Sequence, residues 1–413
     1  VISNRQNDRQ PAASIRFWAF LGVFLVTVPG RAGETVTVTD VAGVKSTGTL
    51  KTWSPGKLLI TSPSHEFFEH EIRSITFERP LNKVAHGSSM VWLSNGDRIS
   101  ARAVAVANDS LAVTWPVLGD VAMLAIPLEK VTAVIFEMPA TVPQRLRLLA
   151  DLETLPPGSD AILLTNGDRS LGELEQLDAA FLVLKTATSS LKLDRSRILA
   201  IRLNPELTNV KRSSGRRTVL TLIDGSRVTS TNADLTDESL ILKSPGLGTV
   251  TIPLSTVVSC HRFGDRVIPI TDYEPEKVEF TPYLSTSWRL VQNANVQHGP
   301  LMLRGNEFIT GLGTHSRMAI TYKLLGNERE FQGLVGIDDI ANGAGSAVFA
   351  IELDGRRVWT SPELTGKSAA ASVPKTDLRD AKRLTLLVDF GQFADVSDYA
   401  DWCDAVLITD QPR

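Results

Sequence analysis

The sequence predicts an all-β chain: tandem small barrel-like β repeats followed by a C-terminal β-sandwich. Three observations carry this. One strand–turn–strand template recurs four times within the first two thirds of the 413 residues. Asn95-Gly96, Asn166-Gly167 and Asp224-Gly225 supply the residue types that tight hairpin turns demand. From about residue 271 onward the strands lengthen and helical periodicity is absent.

Each copy of the template reads as a strand, a tight turn, a strand, a second "L-x-(V/I/L)-x" strand, a "V-x-I-P"-like strand and a short "I-x-x-I" strand. The copies fall at residues 34–80, 86–138, 160–205 and 216–265, the first being the weakest. Alternation of apolar and polar residues buries one face of each strand. A unit of about 45 residues holds too little core to be secure alone. The units must therefore pack on one another or close into small barrels. Their strand and turn rhythm resembles Sm-like or SH3-like barrels, a likeness that carries no functional residues. Between the second and third copies, Leu146, Leu149 and Leu152 recur at helical spacing. That predicts a connecting helix over residues 141–155, stopped by Pro156-Pro157.

At the start, Arg5, Arg9 and Arg16 precede the apolar run "FWAFLGVFLVTVP", followed by the small residues Gly30 and Ala32. The run has about 13 residues, short of the roughly 20 that span a bilayer. It reads as a secretory signal over residues 1–32, cut near Ala32, with an uncleaved anchor as the second reading. No later stretch is apolar enough to cross a membrane. The expectation is an exported protein: secreted, periplasmic or at the cell surface.

The net charge is −3 with 22% charged residues. A nucleic-acid partner is not expected, because phosphate contacts need a clustered Lys/Arg excess. The cluster "KRSSGRR" at residues 211–217 reads as a solvated linker. Cys260 and Cys403 are too few for a disulfide scaffold. Each ends or follows a strand-like run, so two buried free thiols are expected over one bridge.

Catalytic motifs are missing. "HEFFEH" from His65 to His70 spaces its histidines by five positions, where a zinc-protease helix needs four. Asp97, Asp168 and Asp224 read as turn formers. "GAGSAV" at Gly343 follows no strand-to-helix context, and no P-loop or nucleophile elbow is present. His315 and Ser316 are neighbours in sequence, which is poor geometry for a triad.

The C-terminal stretch alternates cleanly. Met318, Ile320, Tyr322 and Leu324 share a face, as do Phe349, Ile351 and Leu353, and Leu384, Leu386, Val388 and Phe390. Four motifs follow in order: "GLGTHS" at Gly311, "FQGLVGIDD" at Phe331, "VFAIELDGRRV" at Val348 and "DYADWCDA" at Asp398. This ordered set resembles the NPCBM family of carbohydrate-binding modules, relatives of the galactose-binding-like jelly rolls, over residues 274–410. Cys403 departs from it, since an alanine is common after the tryptophan.

The resemblance implies a jelly roll that binds carbohydrate, galactose-containing glycans among them, and some sandwiches of this class hold a structural calcium. The residues taken as sugar contacts are Trp288, His315, Asp338, Asp339, Asp401 and Trp402. The residues taken as calcium ligands are Asp338, Asp339 and Asp398. Carboxylates in loops suit either role, and tryptophans can stack on sugar faces or plug a core. His315 reads first as a packing residue at the sandwich end, then as a sugar or ion contact. The functional expectation is an exported, non-catalytic carbohydrate binder with the repeats as scaffold. The rival expectation is an assembly protein whose β edges meet other cell-envelope proteins. A glycoside hydrolase accessory, or an enzyme with paired carboxylates assembled across distant loops, comes third.

Overall fold

The three Gly-containing turns form as their sequence demands. Gly96, Gly167 and Gly225 take φ of 90°, 91° and 81°, a region where a Cβ is strained. Asn95 Oδ1 accepts from the Asp97 amide at 3.1 Å, and Asn166 Oδ1 from the Asp168 amide at 3.1 Å. Asp224 Oδ1 accepts from the Ser226 amide at 2.9 Å. These side chains brace the turns they sit in. The computed structural model describes residues 33–62, 66–81, 88–119, 122–208, 215–236, 238–284, 286–392 and 394–410. The predicted signal, His65 and most of the 211–217 cluster lie outside the described residues. His70 sits in the 3-10 turn Glu69–Glu71.

The same pairing order recurs in four stretches. In the first, it runs Glu66–Phe67, Lys57–Thr61, Lys45–Ser54, Thr35–Asp40, Ile72–Phe77. In the third, it runs Ser190–Asp194, Phe181–Lys185, Arg169–Leu177, Asp160–Leu164, Ile198–Arg202. The second and fourth follow suit, with their second strand broken in two. A 3-10 turn precedes the last strand each time.

These stretches share edges. Ile72–Phe77 pairs with Val257–Phe263, setting Ile75 opposite Cys260. Val131–Ile135 pairs with Ile198–Arg202, setting Val134 opposite Ile201. Edge sharing removes open strand edges and pools four small cores. One apolar cluster accordingly runs from Val36 through Trp115 and Leu182 to Cys260.

Among the described residues the structure holds one α-helix, Val142–Thr154, with Thr141 Oγ1 accepting from the Gln144 amide at 3.4 Å. It buries Leu148, Leu149 and Leu152 against Met90, Ile135 and Leu163. Leu146, predicted on the buried face, instead approaches Gly299. Cys260 and Cys403 are buried and free.

The C-terminal part is a sandwich of two antiparallel sheets. The first orders Val291–Gln292, Gly311–His315, Tyr399–Thr409, Glu328–Ile337 and Ala371–Ser372. The second orders Lys277–Phe280, Met318–Lys323, Arg383–Phe390, Ser346–Leu353 and Arg356–Thr360. Leu312, Phe331 and Trp402 from one sheet meet Tyr322, Phe349 and Leu386 from the other. The strand Val267–Pro269 already pairs with residues 406–408, so the first sheet reaches further upstream than residue 274. Val41, Val219 and Phe263 of the repeats pack on Val267, Val406 and Ile408. Arg73 donates to Gln332 Oε1 at 2.7 Å and Lys375 to the Ala42 carbonyl at 2.8 Å. Repeats and sandwich thus share an apolar and polar seam.

Candidate functional site

Alternation decides what each residue of the central strands can do. Leu312 pairs with Trp402, and both enter the core between the sheets. The alternate register pairs Gly311 with Cys403, Gly313 with Asp401 and His315 with Tyr399 on the opposite face. That face is covered by the chain around Ala294 and Asn295. A Cβ on Gly313 would stand 2.3 Å from the Ala294 carbonyl oxygen, so only glycine lets this segment lie flat on the sheet.

At the end of that face stands an aromatic cluster. The Trp288 ring stacks on His315 with centroids 4.5 Å apart and planes 6° from parallel. Tyr399 meets both edge-on, at 5.7 Å and 5.9 Å, and Phe280 meets His315 at 6.5 Å. His315 is buried and Trp288 half-buried. His315 Nδ1 lies 2.9 Å from the Ser316 carbonyl, so Nδ1 carries the proton and Nε2 is left as an acceptor. Burial holds the imidazole below its ordinary pKa and keeps it neutral. The same connection of residues 281–290 carries Tyr283, which is 56% exposed and meets Phe390 edge-on at 5.5 Å. Arg317 and Asp389 pair at 3.6 Å on the exposed rim. Half-exposed aromatic faces beside charged and amide groups can hold a ring with one apolar face and peripheral hydroxyls.

The predicted aspartates do something else. Asp338 Oδ2 accepts from the Met302 amide and Oδ1 from the Ile340 amide, each at 2.9 Å. Asp401 is fully buried beside it. Burial, then the adjacent Asp338 carboxylate, push the Asp401 pKa well above the ordinary range. Burial pushes the Asp338 pKa up as well, so two adjacent buried carboxyls disfavour carrying two charges at once. Asp339 accepts from the Arg304 amide at 2.9 Å and the Gly305 amide at 2.6 Å. Asp398 accepts from the Ser346 amide at 2.8 Å and Ser316 Oγ at 2.5 Å, and burial pushes its pKa up to about 6.

These geometries answer the sequence expectations residue by residue. Trp288 and His315 come together. Trp402 is fully buried against Phe331 and Phe349 and has no face to offer a sugar. Asp338, Asp398 and Asp401 have no exposed surface. The calcium set does not fit: six oxygens of Asp338, Asp339 and Asp398 face N–H or O–H donors, which a cation would displace. Among the described residues no three His, Cys, Asp or Glu side chains are grouped to hold a metal. Tyr399 was not singled out by sequence. Its signal was the alternation that sets it opposite to Trp402 and level with His315.

Residues 273–408 match the family model described as NPCBM/NEW2 domain. This stretch is similar to the NPCBM modules. A Renibacterium salmoninarum protein, provisionally named endo-alpha-N-acetylgalactosaminidase, is 32% identical over 113 residues. That match takes in 27% of this chain and 7% of the relative, so the chain spans a small fraction of its length. The chain is also similar to the CBM51 module of Clostridium perfringens GH95 solved with methyl-galactose. That match has 23% identity, 34% of this chain, 99% of the other and a TM-score of 0.32. The tandem CBM51 modules of a Streptococcus pneumoniae family 98 glycoside hydrolase match at 12% identity over 91% of this chain and 88% of theirs, with a TM-score of 0.30. No helix among the described residues is long and apolar enough to cross a membrane.

Proposed function

We propose that this chain binds carbohydrate through its NPCBM module, at the sandwich end where Trp288, His315 and Tyr399 meet. The observation that carries the reading is the Trp288–His315 stack within a segment that matches the family model. One indole face is held flat by the imidazole, so the ring is pre-set for stacking at little entropic cost. His315 Nε2 and the rim pair Arg317–Asp389 supply acceptors and donors for sugar hydroxyls. Galactose-containing glycans are the first class to test, since galactose presents an apolar face and an axial hydroxyl.

The protein acts outside the cell, after removal of the leader at residues 1–32, and does no chemistry on its ligand. The four repeats serve as the body that carries the module. Calorimetry of the mature chain with methyl-β-galactoside, lactose and a panel of unrelated glycans tests this. Binding to a galactoside that Trp288→Ala abolishes is the expected result. Folded protein that binds none of the panel overturns it.

A further inference from the structure

The repeats hold one feature that their own fold does not need. Arg98 and Arg227 sit directly opposite each other on paired strands. Like charges in that register repel. Burial, then Arg98 itself, pull the Arg227 pKa down to about 10. The stronger neutralising group, ahead of the buried Asp97 of the repeats, comes from the C-terminal module. Glu307 Oε1 accepts from Arg98 at 2.6 Å and from Arg227 at 2.8 Å. Both arginines have side chains at most 21% exposed, as does Glu307.

Glu307 lies in the hairpin Leu301–Leu303 with Asn306–Phe308. Asp338 and Asp339 grip that hairpin from the other side, through the Met302, Arg304 and Gly305 amides. The Asp338 amide in turn donates to the Tyr399 carbonyl at 2.7 Å. Tyr399 is the ring that fixes Trp288 and His315 edge-on. The steps as far as Tyr399 are hydrogen bonds and the last is an edge-on ring contact, all within one compact unit.

We propose that Glu307 is a positioning residue, through which Arg98 and Arg227 of the repeats set the geometry of the aromatic site in the module. The inference rests on the carbohydrate reading above for its functional meaning, though not for its physical content. The repeat block is then part of the binding machinery and not only its carrier. Removing the Glu307 charge leaves two facing guanidiniums buried, which drives the hairpin off its seat.

The test uses the full chain and the variants Glu307→Gln and Glu307→Asp. Two readouts are taken: hydrogen exchange at the amides of Met302, Arg304, Gly305 and Asp338, and the Kd for methyl-β-galactoside. Glu307→Gln is expected to speed exchange at all four amides and to weaken binding by about tenfold, the size of a typical coupling between linked sites. Glu307→Asp, which keeps the charge, recovers part of both. Faster exchange at residues 302–305 with Asp338 protection and Kd unchanged overturns the proposal. If the parent chain binds no galactoside, the carbohydrate reading fails and Asp338 exchange alone decides the coupling. If Glu307→Gln does not fold, Glu307→Asp is judged by the same two readouts, and parent-like values in both overturn the proposal.

Discussion

Trp288 lies flat against His315, 4.5 Å between centroids, and the pair closes one end of the sandwich. Trp288→Ala is expected to abolish glycan binding while shifting the melting temperature little, because the ring is half-buried and outside the main core. Trp288→Phe should retain part of the affinity, since aromatic stacking is worth about 1 kcal/mol beyond area burial. Titration calorimetry beside a thermal melt reads both. Loss of folding in Trp288→Ala would show the ring to be a core plug.

Burial, then the neighbouring Asp338, hold the Asp401 pKa in the folded protein well above its value in the unfolded chain. A folded pKa raised in this way gives stability that is present at low pH and lost as pH rises. Asp401→Asn keeps a donor for Asp338 and cannot ionise. Its stability advantage over the parent should therefore grow as the pH rises above the unfolded carboxylate range near about 4. Denaturant unfolding over a series of pH values checks it, and an equal offset at every pH would refute the raised Asp401 pKa. Asp338→Asn should be destabilising throughout, because an amide cannot accept from both Met302 and Ile340.

Calcium should leave the chain unmoved. The oxygens of Asp338, Asp339 and Asp398 face donors, so melting curves with calcium and with chelator are expected to superpose. A calcium-dependent rise of several degrees would sink this assignment of the carboxylates.

Alternation carried the sandwich far. It paired Met318, Ile320 and Tyr322 on one face, and all three are buried together. The same rule, applied to residues 398–405, separates Trp402 from Tyr399 and Asp401. What it could not show is which face is wet. Asp401 is buried because residues 293–303 lie over the sheet, a contact across a hundred positions with no local signature. Asp338 and Asp339 are adjacent and chemically alike, yet one is buried against Asp401 and the other holds a turn. The tight turns were legible because Asn-Gly and Asp-Gly have few other uses. The sharing of edges between stretches was not, since a strand's pairing partner is not written in its own alternation.

A fragment starting at residue 271 lacks Val267–Pro269, which pairs with residues 406–408. It also uncovers Val406 and Ile408, which Val41 and Val219 shield. Such a fragment is expected to melt lower than one starting at residue 264 and to associate through the bared edge. Both should melt below the full chain. Size-exclusion chromatography and thermal melts decide it, and a fragment from residue 271 as stable as the full chain would show the seam to be idle.

The last-strand pairings join the first stretch to the fourth and the second to the third. In chain order this is a nested bracket, an outer pair enclosing an inner one. A solenoid grows by adding a unit at either end, because each end is open. Here both terminal units have spent that strand on each other. A fifth copy inserted after the fourth would find no partner of its own, and deleting one inner copy would strand the other. The number of units is therefore part of the fold, as it is in a closed ring, although the chain never forms one.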